Sequence, residues 1–273
     1  MVLAWQLRQV ALQNLSFYIA VCPVITVSIV SHGHGELVSR LLEDLVGCTE
    51  VSSILLTLNV PEEGIDVPDS LADKVVLIKN PLPLGFGANH NQAFRQVRTA
   101  FFCILNPDIR IPHNPFSVLM SRLDNGECGL AAPAILTPSG KVDDSARYLP
   151  TPWSVLHKVM GGQDGRYSFE LGGPDFSPDW VGGMFMLVRA EAFRSVGGFD
   201  ERYFLYYEDV DLCCRLRLAG HRLLLSPAAS AIHDARRASH RNLRFLKWHL
   251  ASMIRFFSSA AFWSLWPRKL LRH

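Results

Sequence analysis

"VITVSIVSHGHGELVSRLLEDLVG", residues 24–47, is the stretch on which the fold turns. Its first eight residues are mostly Val, Ile and Ser, with β-branching that suits a buried strand. The turn "HGHG" comes next, and then Leu37, Leu41, Leu42 and Leu45 recur at the spacing of one helical face. The same alternation continues downstream. "VSSILLTLNV" (51–60) and "KVVLIKN" (74–80) read as strands, "GANHNQAFRQVR" (87–98) as a helix, and "FFCILNPDI" (101–109) as a strand that ends in a Pro-containing turn. Strand, helix, strand, strand, helix, strand predicts an α/β architecture with a mainly parallel central sheet flanked by helices. Ligands of such sheets sit at the carboxyl ends of the strands.

The chain has 273 residues and is about half apolar, enough to bury a substantial core. Its formal charge is +2, from 27 Lys plus Arg against 25 Asp plus Glu. That total conceals a division. From Arg236 onward there are nine basic residues and no acid, so the body carries about −7 and the tail about +9. The cysteines at 22, 48, 103, 128, 213 and 214 form no C-x-x-C pair and lie mostly in apolar runs, which reads as buried reduced thiols. The run "LSFYIAVCPVITVSIVS" contains Pro23 and rich β-branching, and suits a strand better than a spanning helix. No small-residue cleavage site precedes it, so a cytoplasmic protein is expected.

Two nucleotide-binding signatures are excluded. Gly33 and Gly35 stand after the first strand, but Val38 occupies the place where a G-x-G-x-x-G fingerprint needs its third glycine, and there is no G-x-x-x-x-G-K-[ST] loop. Beyond residue 112 the pattern turns irregular, with frequent Gly and Pro. Order is expected to resume at "WVGGMFMLVRAEAFRSVGGFDE" as a strand, a short helix and a Gly-Gly stop. No internal repeat is evident.

Four places could carry chemistry. Asp108, in "NPD" at 106–108, emerges at the carboxyl edge of the sheet, where one carboxylate can hold a divalent cation beside a diphosphate; the same residues also make an ordinary strand-ending turn. "FLYYEDVDLCCRLRLAG" (204–220) crowds Glu208, Asp209 and Asp211 into the expected first turn of a helix, where the macrodipole stabilises anions and all three should stay ionised. Asp211 with Arg215 is explained as an i,i+4 pair, whereas Glu208 and Asp209 come after an aromatic wall and suit a general base. Trp180 in "WVGG" is a plate on which a sugar ring could pack, and Gly182 and Gly183 allow close approach to backbone, although turn geometry alone would explain the glycines. His233 could face a metal or a diphosphate, or be structural.

In order, "VSIVSHG", "GFGANHN", "ILNPD", "WVGGMFMLVRAEAF", "GGFDERYFLYYEDVDLCCR" and "HDARRAS" resemble the family-2 inverting glycosyltransferases of GT-A fold, especially bacterial rhamnosyltransferase-like members, over residues 24–257. The resemblance implies a role for each matching position. Asp108 matches the last carboxylate of the metal-binding D-x-D element, with Asn106 where many members have Asp, and His233 matches the histidine that helps hold a Mg²⁺ or Mn²⁺ diphosphate unit. Asp209 matches the catalytic base and Glu208 its acidic neighbour. Trp180, Gly182 and Gly183 match the loop between donor and acceptor, while Ser31, Asn80 and Asn89 fall in the segments that cradle the nucleotide of the sugar donor. Leu58 departs from the pattern, standing where many members end the second strand in an aspartate that contacts ribose or base.

The basic tail has its own periodicity. In "RNLRFLKWHLASMIRFF" (241–257), Leu243, Leu246, Leu250, Met253, Ile254 and Phe257 share one face, with Arg241, Arg244, Lys247 and Arg255 on another. Either that apolar face packs on the catalytic body, or it lies on an anionic membrane with Trp263 and Trp266 as further interfacial anchors. Nucleic acid is not expected, because no binding module accompanies the charge. The divisions expected are an extension at 1–23, a GT-A catalytic domain at 24–235, and a basic amphipathic segment at 236–273. The function expected is transfer of a hexose such as rhamnose from a nucleotide-sugar to a saccharide or lipid-linked saccharide acceptor, in cell-surface polysaccharide synthesis at the inner face of the plasma membrane. The competing readings are a nucleotidyltransferase and a non-catalytic nucleotide-sugar-binding module.

Overall fold

The computed structural model describes residues 25–124, 126–162, 164–234 and 243–270, so the expected extension at 1–23 and Arg241 lie outside the described residues. The expected alternation is present: β1 (Ile25–Ser31), α1 (Gly35–Leu45), β2 (Val51–Leu58), β3 (Val75–Lys79), α2 (Phe86–Phe94), β4 (Phe101–Leu105) and the short β5 (Ile109–Arg110). Leu37, Leu41, Leu42 and Leu45 of α1 are all buried, as their spacing predicts. Then come α3 (Phe116–Leu123), β6 (Cys128–Leu136), β7 (Ala146–Arg147), α4 (Pro152–Val159), β8 (Trp180–Val181), β9 (Phe185–Arg189), α5 (Ala190–Ser195), α6 (Glu208–Leu218), β10 (Arg222–His233), α7 (Leu243–Phe257) and α8 (Ala260–Leu270).

Among the described residues the main sheet runs in the order β3-β2-β1-β4-β9-β6-β10-β5. It is parallel from β3 through β4 and again between β6 and β10, but antiparallel on both sides of β9 and between β10 and β5. The sheet is therefore mixed, and its parallel half is the part that the opening sequence specifies. Side chains on its two faces make two cores. One joins β1 and β2 to α1 and α3, and the other sets Phe102, Phe193, Leu212 and Leu216 together. A third cluster, with Tyr203, Val210, Phe256 and Phe262, seals α7 and α8 onto α6. The five described cysteines are free and buried.

Residues 112–179, which read as irregular, hold α3, β6 and α4. β6 is "CGLAAPAIL", weak in β-propensity and interrupted by Pro133, yet it is a central strand. Its partner accommodates the missing N–H. The register of β10 jumps from Ser226 opposite Pro133 to Ser230 opposite Ala134, so β10 bulges where Pro133 cannot donate.

Candidate active site

α6 begins at Glu208, where the acidic cluster placed it. The residues that lead into it, Tyr206 and Tyr207, have φ of 71° and 65°, a left-handed conformation that costs non-glycine residues free energy and collects at functional sites. That turn fixes the carboxylates. Asp209 Oδ2 accepts from the Gly183 N–H at 3.1 Å, and Oδ1 accepts from the Val210 N–H at 2.8 Å. Burial raises the Asp209 pKa, while those two N–H groups and the nearby Arg147 charge pull it back toward the ionised form. Glu208 is more deeply buried, and one carboxylate oxygen has no hydrogen-bond partner. Its burial and the charge of Asp209 hold its pKa well above the usual carboxylate range. At Glu208 desolvation outweighs the helix dipole and favours the protonated form, against the expectation from sequence that the dipole keeps all three acids charged. Asp211 pairs with Arg215 at 2.7 Å as its spacing predicts.

Asp108 and His233 also meet. Antiparallel pairing sets His233 beside Ile109, and the imidazole Nε2 lies 3.3 Å from Asp108 Oδ2. The other ring nitrogen, Nδ1, lies 3.5 Å from Asp143 Oδ2. Burial works against the imidazolium, but Asp108 and then Asp143 hold its pKa above the ordinary histidine value. Asp108 Oδ1 is buried without a partner, a condition that a cation would relieve. Asp108 and His233 thus fit a divalent ion. Among the described residues no three His, Cys, Asp or Glu side chains converge as a metal cage, so diphosphate oxygens and water would fill the remaining positions, as they commonly do for Mg²⁺.

A circuit of contacts links the two acidic centres. From Asp108 the circuit passes through His233 to Asp143 and its neighbour Asp144, which pairs with Arg147. Arg147 acts electrostatically on Asp209, and Asp209 holds the N–H of Gly183. Met184 accepts from the N–H of Asn106, two residues before Asp108. Gly183 has no room for a side chain: a Cβ there would lie 3.2 Å from the Phe86 ring and 3.5 Å from Asp209 Cβ. Gly182 donates its N–H to the Ser145 carbonyl. Trp180 lies on this wall, half-buried, with Arg147 over its ring at 5.8 Å and its indole N–H donated to the Tyr148 carbonyl. Asp143, Asp144 and Arg147, in "DDSAR", belong to no motif that sequence reasoning picks out, and only their crowding of charge in a Gly- and Pro-rich stretch marks them.

Of the residues expected to cradle the nucleotide, Ser31 ends β1, Asn80 follows β3 and Asn89 lies within α2. Ser31 is buried, with Oγ accepting from the His34 N–H. Asn80 and Asn89 are buried and joined, Asn80 Nδ2 donating to Asn59 Oδ1 at 2.9 Å and to Asn89 Oδ1 at 2.6 Å. Asn89 Nδ2 and Asn59 Nδ2 donate to the Leu84 carbonyl, and the Leu84 N–H returns to Asn59 Oδ1. These amides hold the shape of the loop "PLPLG", and Asn80 with Pro81, Leu82 and Leu84 lines a cavity beside it. Leu58 is buried, with Asn59 next to it at the strand end.

No family model matches the chain. It is 32% identical over 255 residues to the rhamnosyltransferase WbbL of Escherichia coli K12, covering 85% of this chain and 92% of that protein. It is 30% identical over 243 residues to N-acetylglucosaminyl-diphospho-decaprenol L-rhamnosyltransferase of Mycobacterium tuberculosis, covering 80% and 78%. Its fold is similar to that of GalNAc-T7 with UDP, GalNAc and Mn²⁺, with a TM-score of 0.61 and 14% identity over 80% of this chain and 44% of that one. It is similar also to the Pyrobaculum calidifontis mannosyltransferase PcManGT with GDP-Man and Mn²⁺, with a TM-score of 0.58 and 14% identity over 86% and 65%. The fold is GT-A, and with relatives this similar over most of both lengths, the chain belongs to the bacterial rhamnosyltransferase-like glycosyltransferases.

Proposed function

We propose that this glycosyltransferase moves a hexose, with rhamnose the first candidate from its relatives, from a nucleotide-sugar to a saccharide or lipid-linked saccharide acceptor with inversion at the anomeric carbon. Asp209 takes the proton of the attacking acceptor hydroxyl. The acceptor oxygen forms its bond to the anomeric carbon as the bond from that carbon to the donor diphosphate breaks, and the nucleoside diphosphate leaves with the electron pair. Gly183 and Val210, through their N–H groups, and Arg147, through its charge, favour the ionised form of Asp209 against the burial that opposes it. Asp108 and His233 would hold a Mg²⁺ or Mn²⁺ ion, which when bound would supply Lewis-acid neutralisation of the leaving diphosphate. Trp180, Gly182 and Gly183 separate the donor from the acceptor, while Ser31, Asn80, Asn89 and Asn106 shape the donor side.

The observation that supports this reading is the circuit of contacts from Asp108 to Asp209, which links the carboxylate read as the cation site to the backbone-anchored carboxylate read as the base. Against a nucleotidyltransferase stands the base itself, set behind a Trp-Gly-Gly wall. The test is hydrolysis and transfer from a panel of dTDP-, UDP- and GDP-sugars with and without EDTA. Release of free sugar or glycosylated acceptor that stops with EDTA is expected; transfer of a nucleotidyl group, or no turnover of any nucleotide-sugar, would refute it.

We propose further that the protein works at the cytoplasmic face of a membrane, held there through the basic segment at 236–273, while the catalytic unit spans 24–235. No described helix is long and apolar enough to cross a bilayer. What supports the membrane is the orientation of α7. The helix packs on the body, but only the Phe257 end of the stripe its periodicity marks out takes part: Leu243, Leu246, Leu250 and Ile254 point outward, and Leu243 is 76% exposed. Trp248, His249, Ser252 and Phe256 make the contact with the body instead.

A further inference from the structure

α4 exists because of a local signal, "TPWS". Thr151 Oγ1 accepts from the Ser154 N–H, Ser154 Oγ accepts from the Thr151 N–H, and Pro152 opens the helix. The apolar residues of this helix break the rule for surface helices. Trp153, Leu156 and Met160 recur at helical spacing and all face outward, Trp153 being 73% and Met160 69% exposed. Single exposed apolar residues are ordinary, whereas a stripe ending in a bare indole and a thioether marks a contact surface.

α4 lies near α7. Leu149, just ahead of α4, packs in the same cluster as Phe256 and Phe262 at the C-terminal hairpin. Lys158 of α4 is close enough to His249 of α7 that, after burial, its charge helps to depress the imidazole pKa. The charged residues of the two helices have one sign. α4 carries Lys158, α7 carries Arg244, Lys247 and Arg255, and neither helix contains an acid. A two-fold dimer through this surface would set these cations against their own copies. An anionic lipid surface would meet them with opposite charge and receive the apolar residues.

We propose that α4 is a second lipid-docking element, inserting Trp153, Leu156 and Met160 into an anionic bilayer beside the outward face of α7. This rests on the membrane-facing reading of α7 above. Two contacts fix an orientation that one helix leaves free. Each helix is tied to one flank of the base: α4 comes directly after the segment 144–149 that carries Arg147, and α7 grips residues 204–207 immediately before Glu208 and Asp209. A lipid-linked hydroxyl rising from the bilayer therefore reaches Asp209 between the two docking helices.

The test is flotation of the full-length protein with vesicles of phosphatidylglycerol mixed with phosphatidylcholine, against phosphatidylcholine alone. Three proteins are compared: the wild type, a variant combining Trp153→Ser, Leu156→Ser and Met160→Ser, and a variant combining Leu246→Ser, Leu250→Ser and Ile254→Ser. The wild type should prefer the anionic vesicles, and the α4 variant should lose partitioning on the order of 100-fold with an unchanged melting curve. If the α4 variant floats like wild type while the α7 variant does not, docking by α7 stands and this inference falls. If the wild type fails to float, or is a dimer by light scattering that the α4 variant dissolves, the lipid assignment falls. Should the α4 variant not fold, Trp153→Phe serves: quenching of tryptophan fluorescence by brominated lipid must be weaker in it than in wild type, and equal quenching overturns the proposal. Transfer to a water-soluble acceptor reports separately on the proposed catalysis.

Discussion

Asp209 and Glu208 are adjacent in the chain, and burial raises the pKa of both; two backbone N–H groups and Arg147 oppose that rise at Asp209, while at Glu208 the charge of Asp209 adds to it. Asp209→Asn keeps the size and shape of the base and removes its ability to take a proton, so turnover should fall by about 10²–10⁴-fold while donor affinity by calorimetry holds. Near-normal turnover in that variant would remove Asp209 as the base. Glu208 yields a prediction about stability and pH. Its folded pKa is raised, so the folded state keeps a proton that an unfolded glutamate releases above about pH 4.3. Its contribution is therefore fully present below that pH and is lost as pH rises toward the folded value, at about 1.4 kcal/mol per pH unit. Glu208→Gln removes the loss, and urea unfolding from pH 5 to pH 8 should show the variant gaining on wild type as pH rises; parallel curves would mean that the carboxyl is ionised. At the other wall, Asp143 turns His233 so that Nε2 faces Asp108. Asp143→Ala should weaken Mn²⁺ binding about 10–100-fold by electron paramagnetic resonance, and Asp143→Asn, whose carbonyl still accepts from Nδ1, should restore most of it. Unaltered binding in the alanine variant would show that the imidazole needs no such partner.

The elements divide by how local their causes are. β1 to β4, α1, α2 and α6 are legible because each is specified by its own residues: β-branched runs, the leucine spacing of α1, the acids that open α6. The Gly-Gly stop after α5 is legible too, and Gly197 and Gly198 both have positive φ. β6 is not, because its Ala-rich sequence becomes a strand only through burial between β9 and β10, and Pro133 is tolerated only by the bulge across from it. β9 running antiparallel between β4 and β6 is a property of chain path, which no window of residues encodes. In the site, Asp108, Asp209 and His233 are visible one at a time, whereas the bridge through Asp143 and Arg147 is formed by residues far apart in the chain. The left-handed Tyr206–Tyr207 pair is hidden for a similar reason: the aromatic run reads as a wall, and its strained turn is imposed by what it touches. One contact makes that dependence measurable. A Cβ on Gly85 would lie 2.7 Å from the carbonyl oxygen of Phe204 and 2.9 Å from its Cα, both backbone atoms, and the Phe86 N–H donates to that same carbonyl. Gly85 has φ of −68°, so alanine costs nothing in backbone conformation there. Gly85→Ala should force the loop off the 204–207 turn, lowering stability by about 1–3 kcal/mol in urea unfolding and slowing transfer with it. A variant as stable and active as wild type would show that the two segments need not touch.

Over the whole molecule, an acidic body and a basic tail are joined by a helix with two apolar faces. α7 takes hold of the catalytic turn nearly residue by residue: Trp248 on Phe204 at 4.6 Å, Ser252 Oγ donating to the Leu205 carbonyl at 2.9 Å, His249 against Tyr206 and Phe256 against Tyr207. The opposite face carries Leu243, Leu246, Leu250 and Ile254 in the open. The tail is thus part of the catalytic fold on one side and free to engage a surface on the other, and substitutions on the two sides must separate those roles. Phe256 is fully buried, so Phe256→Ala should cost about 3–5 kcal/mol in thermal or urea unfolding. It should also reduce transfer to a water-soluble acceptor, because Tyr207 loses the ring that holds it one residue before Glu208 and two before Asp209. Leu250 belongs to none of the three buried clusters, so the melting curve of Leu250→Gln and its turnover with the soluble acceptor should match wild type, while partitioning onto anionic vesicles falls. The cations set the salt response, since attraction between exposed charges and a lipid surface fades beyond a Debye length of about 8 Å at physiological ionic strength. Partitioning of wild type should weaken as salt is raised, with turnover on the soluble acceptor unaffected. If Phe256→Ala and Leu250→Gln instead gave the same profile, the helix would have one role rather than two.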